Sequence, residues 1–229
     1  MRFFSRLIPL ALLGVIASCD VSTTIVGTAG NPQFRVVNAF TSSVDVLVDG
    51  NVVITALTPG SVTTSLAAPG NHTLVIRTTG AGSSTSQQPL TSAAGAMSTF
   101  AALRATNGSL SSAVLDDTTG VVPASGTSLR ILNFAPNAGT LQVYRTQPDV
   151  STPTAWQSAF DYNSDASTQA APFVLSTTGS WNIRAWTTPA DASGWTTAPA
   201  KLILPLAGGE KATILILDQP TGGVRLLVI

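Results

Sequence analysis

The sequence predicts an all-β fold of two tandem β-sandwich domains behind an N-terminal export signal. Apolar residues recur at every second position in short runs such as Val44–Val48, which is typical of strands with one buried face. Turn signals such as Asp49-Gly50 separate the runs, and no segment after the signal keeps the 3.6-residue spacing of a helix. Three segments recur in the same order, which indicates a duplication.

The first residues have the parts of a signal peptide. Arg2 and Arg6 form a short basic region, and an apolar run follows over residues 7–17. That run is too short to cross a bilayer as a helix, which takes about 20 residues, but it suits an export signal. We therefore predict a signal peptide over 1–18.

Cys19 is the only cysteine of the chain and directly follows Ile16, Ala17 and Ser18. These four residues resemble the bacterial lipobox, in which the thiol receives a diacylglyceryl group and the signal is cut just before the cysteine. The usual leucine at the first position is isoleucine here. Several acyl chains, each contributing about 0.8 kcal/mol per buried CH₂, hold a protein on a membrane. The resemblance implies lipidation of Cys19 and a lipid-anchored protein of the bacterial cell envelope, facing the periplasm or the cell surface. The alternative is an ordinary signal peptide that contains a cysteine.

The rest of the chain repeats itself. "FRVVNAF" at 34–40 returns as "LRILNFA" at 129–135, with the arginine and the asparagine in matching places. "GNHTLVIR" is echoed by "GSWNIRAW", and "MSTFAALR" by "KATILILD". Three echoes in one order indicate duplicated domains.

These echoes set the predicted domain boundaries. Small and polar residues over 19–33 predict a tether that carries the lipidated cysteine. The first domain is predicted over 34–117 and the second over 129–229. Gly, Pro, Ser and Thr between them predict a linker over 118–128.

The predicted elements of the first domain begin with a hairpin. Its turn is Asp49-Gly50, a pair suited to a type I′ turn because both central residues need positive φ. Further short apolar runs follow, separated by Pro-Gly, Gly-rich and Asn-Gly breakers. The second domain has a similar pattern with a polar insertion at about 145–172.

Three of these segments resemble a known family. "RVVNA", "VDVLVDG" and "PGNHTLVIR" are similar to the bacterial domain of unknown function 4397, well over the first domain and more loosely over the second. Members of that family are typically exported and often lipid-anchored, and they resemble immunoglobulin-like sandwiches. The resemblance implies two tandem immunoglobulin-like β-sandwich domains, with no activity and no catalytic residues to transfer.

Composition narrows the function classes. The formal net charge is zero and only 10% of residues are charged, so the basic patch expected of a nucleic-acid-binding protein is missing. His72 is the only histidine, and one His with one Cys cannot form a zinc cluster. We predict that His72 is a half-buried packing residue at a strand end. Nothing in the sequence indicates a cofactor.

One segment imitates the start of a calcium loop. Asp161, Asn163 and Asp165 place oxygen ligands at alternate positions. However, the required glycine at loop position six is Ala166, and the bidentate glutamate at position twelve is Pro172. The metal candidate is therefore weak, and a polar insertion loop explains the same residues.

Paired carboxylates are the remaining candidates for catalysis. Asp45 and Asp49 lie at the predicted hairpin, where we interpret them as solvated turn residues. Asp116 and Asp117 lie at the edge of the predicted linker. Neither pair indicates a cleft of the kind that glycosidases use, so the sequence does not predict an enzyme.

Tryptophans are confined to the second domain. Trp181 shares a strand face with Ile183 and is predicted to be core, whereas Trp186 faces the opposite way and Trp195 lies in a loop. Exposed aromatic rings stack on sugars or anchor protein partners, so Trp186 and Trp195 are possible ligand contacts; the alternative is that they pack in the core. The sequence thus predicts a membrane-anchored, non-catalytic binding or structural module, with an envelope protein or glycan as partner. A carbohydrate-binding or carbohydrate-processing protein is the alternative.

Overall fold

The structure, a computed structural model, describes residues 31–80, 85–115, 122, 124–146, 155–162, 173–186, 200–219 and 222–229. Within these ranges every regular element is a β-strand, so the all-β prediction is confirmed. No helix in the described part of the chain is long and apolar enough to cross a membrane.

The first half of the chain forms two four-stranded sheets. Its strands are β1 (Gln33–Asn38), β2 (Val44–Val48), β3 (Asn51–Leu57), β4 (Val62–Leu66), β5 (Gly70–Thr78), β6 (Thr85–Ser92), β7 (Met97–Arg104) and β8 (Leu110–Leu115). We call the sheet with order β4-β1-β7-β8 inner sheet 1, and the sheet with order β3-β2-β5-β6 outer sheet 1.

The second half also forms two four-stranded sheets. Its strands are β9 (Gly126–Phe134), β10 (Leu141–Thr146), β11 (Ala155–Phe160), β12 (Val174–Thr177), β13 (Gly179–Trp186), β14 (Ala200–Leu206), β15 (Lys211–Asp218) and β16 (Val224–Val228). Inner sheet 2 has the order β12-β9-β15-β16, and outer sheet 2 has the order β11-β10-β13-β14.

Apolar residues from alternate strand positions fill the space between an inner and an outer sheet in each half. In the first half Val44 and Val46 of β2 meet Phe34 and Phe100 of inner sheet 1, and the two phenylalanine rings contact edge to face at 6.5 Å. In the second half the corresponding cluster includes Leu129, Ile131, Leu141, Val143, Ile183, Ile214 and Ile216. The two-residue alternation in the sequence correctly indicates which side chains of these strands enter the apolar clusters.

A third apolar cluster joins the two halves. Its fully buried members include Val37 and Leu103 from inner sheet 1 and Leu132, Phe134 and Leu215 from inner sheet 2. The central strands of the inner sheets are therefore largely buried on both faces, and β9 is buried at every position. Strands buried on both faces need near-continuous apolar sequence, which "LRILNF" in β9 supplies.

The echoing segments occupy equivalent strands. β1 pairs in parallel with β7, and β9 pairs in parallel with β15. The matching asparagines Asn38 and Asn133 are both fully buried at the ends of β1 and β9. Asn38 donates a hydrogen bond to Leu57 O and Asn133 donates one to Phe160 O, the last residues of β3 and β11. Each asparagine therefore links the end of the first strand of its half to the end of the third strand.

The β2–β3 turn has the geometry that its sequence predicts. Asp49 has φ of 50° and Gly50 has φ of 82°, as the two central residues of a type I′ turn require. Outer sheet 1 also has an irregularity in this hairpin, where Ala56 has φ of 50° and the register shifts between Val44 and Leu47.

Candidate functional site

The structure describes some of the residues singled out in the sequence. Trp186 is the last residue of β13, and its backbone pairs with Gln142 of β10. Asp161 is exposed and its Oδ1 accepts a hydrogen bond of 2.6 Å from the Thr140 hydroxyl. Among the described residues no three His, Cys, Asp or Glu side chains come together as a metal site would require. The predictions on Cys19, Asp116, Asp117, Asn163, Asp165 and Trp195 lie outside the described residues.

Asp45 is not the solvated turn residue that the sequence suggested. It is 5% exposed, on the surface of outer sheet 1 that faces away from the apolar cluster. Its carboxylate accepts hydrogen bonds from Ala56 N (3.0 Å), the Thr79 hydroxyl (2.9 Å) and Arg77 Nε and Nη2 (3.3 Å each). The bond from Ala56 is the largest cause that lowers the pKa of Asp45. This carboxylate stabilises the hairpin irregularity, because it bonds the residue with positive φ.

His72 makes polar contacts with both ring nitrogens instead of packing only. Nδ1 lies 2.6 Å from Asp49 Oδ2, and Nε2 lies 2.9 Å from Ala68 O. Both partners are acceptors, so the arrangement favours the doubly protonated ring. The hydrogen bond to Asp49 is the largest cause that raises the pKa of His72, and the same bond lowers the pKa of Asp49.

These opposite shifts predict that the stability of the hairpin depends on pH. The contribution of His72 is complete below its ordinary pKa of about 6.5 and is lost as the pH rises through its higher folded-state pKa. The contribution of Asp49 is complete above about 3.8 and is lost as the pH falls through its lower folded-state pKa. We therefore expect the urea midpoint to be highest between about pH 4 and pH 6.5 and to fall above that range. A His72→Gln variant should lose the decline on the alkaline side; an unchanged pH profile would contradict the contact.

An arginine lies between two tryptophans in the second half. The Arg145 guanidinium carbon is 5.0 Å from the ring centroids of both Trp156 and Trp181, distances at which cation–π attraction operates. Both indoles are partly buried against the second apolar cluster, and Trp181 Nε1 donates to Thr177 O at 3.1 Å. Arg145 Nη1 is buried without a hydrogen-bond partner among the described residues, and burial lowers the pKa of this guanidinium.

Among the described residues of the first half, this aromatic and cationic cluster has no counterpart. In the paired strands Arg145 lies opposite Ile183, and Val48 lies opposite Leu74 at the equivalent position. Val48 is partly buried and packs against the first apolar cluster. The two copies have therefore diverged at this end of the sheet pair.

A small cavity of about 220 Å³ lies where the two halves meet. It is lined by Ala39, Phe40, Thr41, Pro59, Gly60, Asn137, Leu217, Asp218 and Gln219. Asp218 Oδ2 accepts hydrogen bonds from Asn137 N (3.2 Å) and Nδ2 (2.8 Å), and Arg104 Nη1 donates to Asn137 Oδ1 at 3.1 Å. Burial is the largest cause that raises the pKa of Asp218. Arg104 comes from the first half and Asp218 from the second, so this network links the halves.

The junction has two further polar links. The Tyr162 hydroxyl donates to Arg104 O, and Arg104 N donates back to the Tyr162 oxygen at 3.1 Å. Arg225 Nη2 donates to Gly60 O. Sequence reasoning missed these residues because each belongs to a different segment, and only the packing of the halves brings them together.

Two solved structures are similar to this chain at low identity. One, described as alpha-glucan recognition by family 41 carbohydrate-binding modules from streptococcal virulence factors, is 11% identical, with 85% of this chain and 96% of that chain covered and a TM-score of 0.28. The other, a product complex of the multi-modular glycogen-degrading pneumococcal virulence factor SpuA, is 9% identical, with 85% of this chain covered and a TM-score of 0.27. This chain spans 23% of that second protein. TM-scores this low support no inference about fold or ligand.

No curated protein matches the sequence. The family model "Domain of unknown function (DUF4397)" matches residues 32–144. The matched region contains β1 to β9 and most of β10. It includes the three segments that carry the resemblance, so that prediction is confirmed. Residues 32–144 therefore belong to the DUF4397 family of domains of unknown function.

Proposed function

We propose that this protein is an exported bacterial lipoprotein that acts in the cell envelope as a non-catalytic binding or structural module. The observation that carries the proposal is the segment Ile16-Ala17-Ser18-Cys19, which follows an apolar run and contains the only cysteine of the chain. Acylation of Cys19 would fix the protein to a membrane, since several acyl chains together provide stable anchoring.

We further propose that the two halves are immunoglobulin-like sandwiches in tandem. The pairing of one inner and one outer sheet around a separate apolar cluster in each half supports this architecture. The shared cluster between the inner sheets supports a rigid body in which the halves keep a fixed relation. A rigid frame with variable loops suits presentation of a binding surface.

The polar contacts of the described carboxylates favour a structural role over catalysis. Asp45, Asp49 and Asp218 each bind neighbouring donors in turns or at the junction between the halves. Each contact stabilises local structure, and none places two carboxylates across a cleft. A binding role is best supported in the second half, where Trp156 and Trp181 flank Arg145.

Replacement of Cys19 tests the anchor. We expect the parent chain, expressed in a bacterium and labelled with a fatty-acid analogue, to carry the label and to sediment with membranes. Cys19→Ser should carry no label and should lose at least about tenfold of its membrane association, because the attached chains supply the binding energy. Ser18→Ala is the matched control, since it keeps a small residue before the cysteine. An intact mass with an unmodified Cys19, or a Cys19→Ser variant that sediments like the parent, would contradict the proposal.

A further inference from the structure

The cavity between the halves is open to solvent and has an apolar wall. Thr41 and Asn137 line it and are exposed, so a small solute can enter beside them. Because an apolar cavity of about 150 Å³ can hold benzene, a volume of about 220 Å³ suits a compact group of about five to ten non-hydrogen atoms. The apolar wall consists of Ala39, Phe40, Pro59 and Leu217.

Asp218 brings a carboxylate with one free oxygen to this cavity. Its Oδ2 accepts both hydrogen bonds from Asn137, whereas its Oδ1 accepts none from the described residues. Oδ1 also keeps accessible surface, unlike fully buried unpartnered atoms such as Thr99 Oγ1. Because Asp218 lines the cavity, a solute inside it can reach Oδ1.

The charge of Asp218 is unpaired in the described part of the chain. The two salt bridges there involve Asp45 and Asp49, and Arg104 Nη1 binds Asn137 instead of Asp218. Burial raises the pKa of Asp218 in spite of its hydrogen bonds and the charge of Arg104. A cation placed in the cavity would oppose that effect, because an opposite charge favours the ionised carboxylate.

Two arginines approach the cavity, but neither lines it. Arg104 donates to Asn137 Oδ1, and Arg225 Nη2 donates to Gly60 O, so each binds a lining residue from outside. Among the residues that line the cavity, Asp218 alone carries a charge. A solute inside the cavity therefore meets one carboxylate and an apolar wall.

The repeat does not require an acid at this position. β7 and β15 pair in the same parallel register with the strands that carry the two matching asparagines. In that alignment Arg104, the last residue of β7, is equivalent to Asp218, the last residue of β15. The fold thus accepts a base at this strand end, so the acid is a property of the second copy.

We propose that the cavity between the halves binds an alkylammonium group. The ammonium would donate to Asp218 Oδ1, and the alkyl chain would pack on Phe40 and Leu217. An ammonium carries three donors and no acceptor, which suits a carboxylate oxygen without a donor. A free amine and the lysine side chain of a peptide share this chemistry. The inference rests on the proposed binding role and is independent of the lipid anchor.

An organic cation fits this cavity better than a metal ion. Calcium takes about six to eight oxygen ligands, mostly from carboxylates, carbonyls and water. Here the lining offers a single carboxylate, and the described residues contain no group of three metal-binding side chains. The apolar wall would be wasted on a bare ion but packs against methylene groups.

NMR titration of the full chain, labelled on its backbone amides, tests the ligand class. The probes are n-butylammonium, n-butanol and n-pentanoate, which share one alkyl chain and differ in charge. We expect butylammonium to bind at least about tenfold more tightly than butanol, because its hydrogen bond to the carboxylate is charge-assisted. Pentanoate should bind more weakly still. No binding of butylammonium, equal binding of butanol, or tighter binding of pentanoate would overturn the proposal.

The same titration locates the site and identifies the source of the ammonium. Shifts should concentrate on the amides of Gly60, Asn137 and Asp218; shifts confined to other parts of the chain would overturn the proposal. A blocked lysine peptide is the additional probe. Binding of that peptide at least as tightly as butylammonium would support the proposal with a lysine of a partner as the ligand. Weaker binding of the peptide than of butylammonium would support it with a free amine.

A variant of the carboxylate separates binding from folding. Asp218→Asn should weaken butylammonium binding at least about tenfold and leave butanol binding within about twofold, because only the charge is removed. Its melting temperature should be unchanged or raised, since a half-buried charge becomes a neutral group of the same size. Asp161→Asn is the matched control, because Asp161 is exposed and does not line the cavity; it should bind all probes as the parent does.

Two outcomes of these variants would overturn the proposal. The first is unchanged butylammonium binding in Asp218→Asn. The second is a lower melting temperature of Asp218→Asn together with no amine binding by the parent, which would assign Asp218 a purely structural role. The ranking of the three probes on the parent chain tests the proposal even where the variant does not fold.

Binding by the Cys19→Ser variant distinguishes this proposal from the anchor. We expect that variant to bind butylammonium as the parent does, whatever the lipid labelling shows. Loss of labelling with intact binding would support both proposals. Intact labelling without binding in the parent would overturn the ligand proposal alone.

Discussion

Replacing Asn38 with alanine is expected to lower the free energy of unfolding by about 3 kcal/mol. Asn38 Nδ2 donates to Ser42 O at 2.9 Å and to Leu57 O at 2.7 Å, and Oδ1 accepts from Phe40 N at 2.9 Å. The side chain is fully buried, so alanine leaves backbone groups unpaired away from water. Each lost hydrogen bond costs about 1 kcal/mol.

Urea unfolding of Asn38→Ala and two companion variants measures this effect. Asn133→Ala should also be strongly destabilised, because Asn133 binds Phe160 O and Ala135 N in the second half. Asn107→Ala is the control, since Asn107 is exposed and bonds only within its own turn to Ser109; we expect a loss below about 1 kcal/mol. A loss in Asn38→Ala no larger than in the control would refute the bridging role of Asn38.

Replacing Leu215 with aspartate is expected to have the largest effect of any change named here, more than about 4 kcal/mol. Leu215 is fully buried in the apolar cluster between the inner sheets. A carboxylate there loses its hydration without gaining a partner. Because the cluster is shared, we expect the parent chain to unfold in one transition and Leu215→Asp to uncouple or unfold the halves.

Leu66→Asp makes the same chemical change at a position of β4 that is 59% exposed, and it should cost less than about 1 kcal/mol. Leu215→Ala should fall between the two, with a loss of about 2–5 kcal/mol. Calorimetry and urea unfolding report both the loss and the number of transitions. Equal effects of Leu215→Asp and Leu66→Asp would show that the halves do not share a core.

Local sequence predicted the strands well because their determinants are local. Alternation in Val44, Val46 and Val48 fixes which face of β2 is buried, and the demand for positive φ fixes the turn at Asp49-Gly50. The two-residue period is typical of strands with one buried face, whereas β9 and β15 are buried on both faces. Their second face is covered by the other inner sheet, and the continuous apolar run in "KATILILD" was the available signal.

The site residues were less accessible to sequence reasoning because they depend on distant neighbours. Asp45 resembled a solvated turn residue, yet Arg77 and Thr79 come from β5 and the turn that follows it and cover it. Trp181 was predicted to be core from alternation, but alternation does not reveal that Arg145 lies against its ring. The polar links between the halves, such as that from Arg104 to Asn137, depend on how the halves pack, which single-sequence patterns do not supply.

The parallel pairing of each half's first strand sets when that half can complete its fold during synthesis. Gln33 pairs with Met97, and Ser128 pairs with Lys211. A strand whose neighbour lies so far along the chain gains it only after the intervening residues have emerged, and closing such long loops slows folding. β1 and β9 therefore stay unpaired on that side until their halves are nearly complete. Each half therefore becomes complete only late in its synthesis, once β7 or β15 has been made.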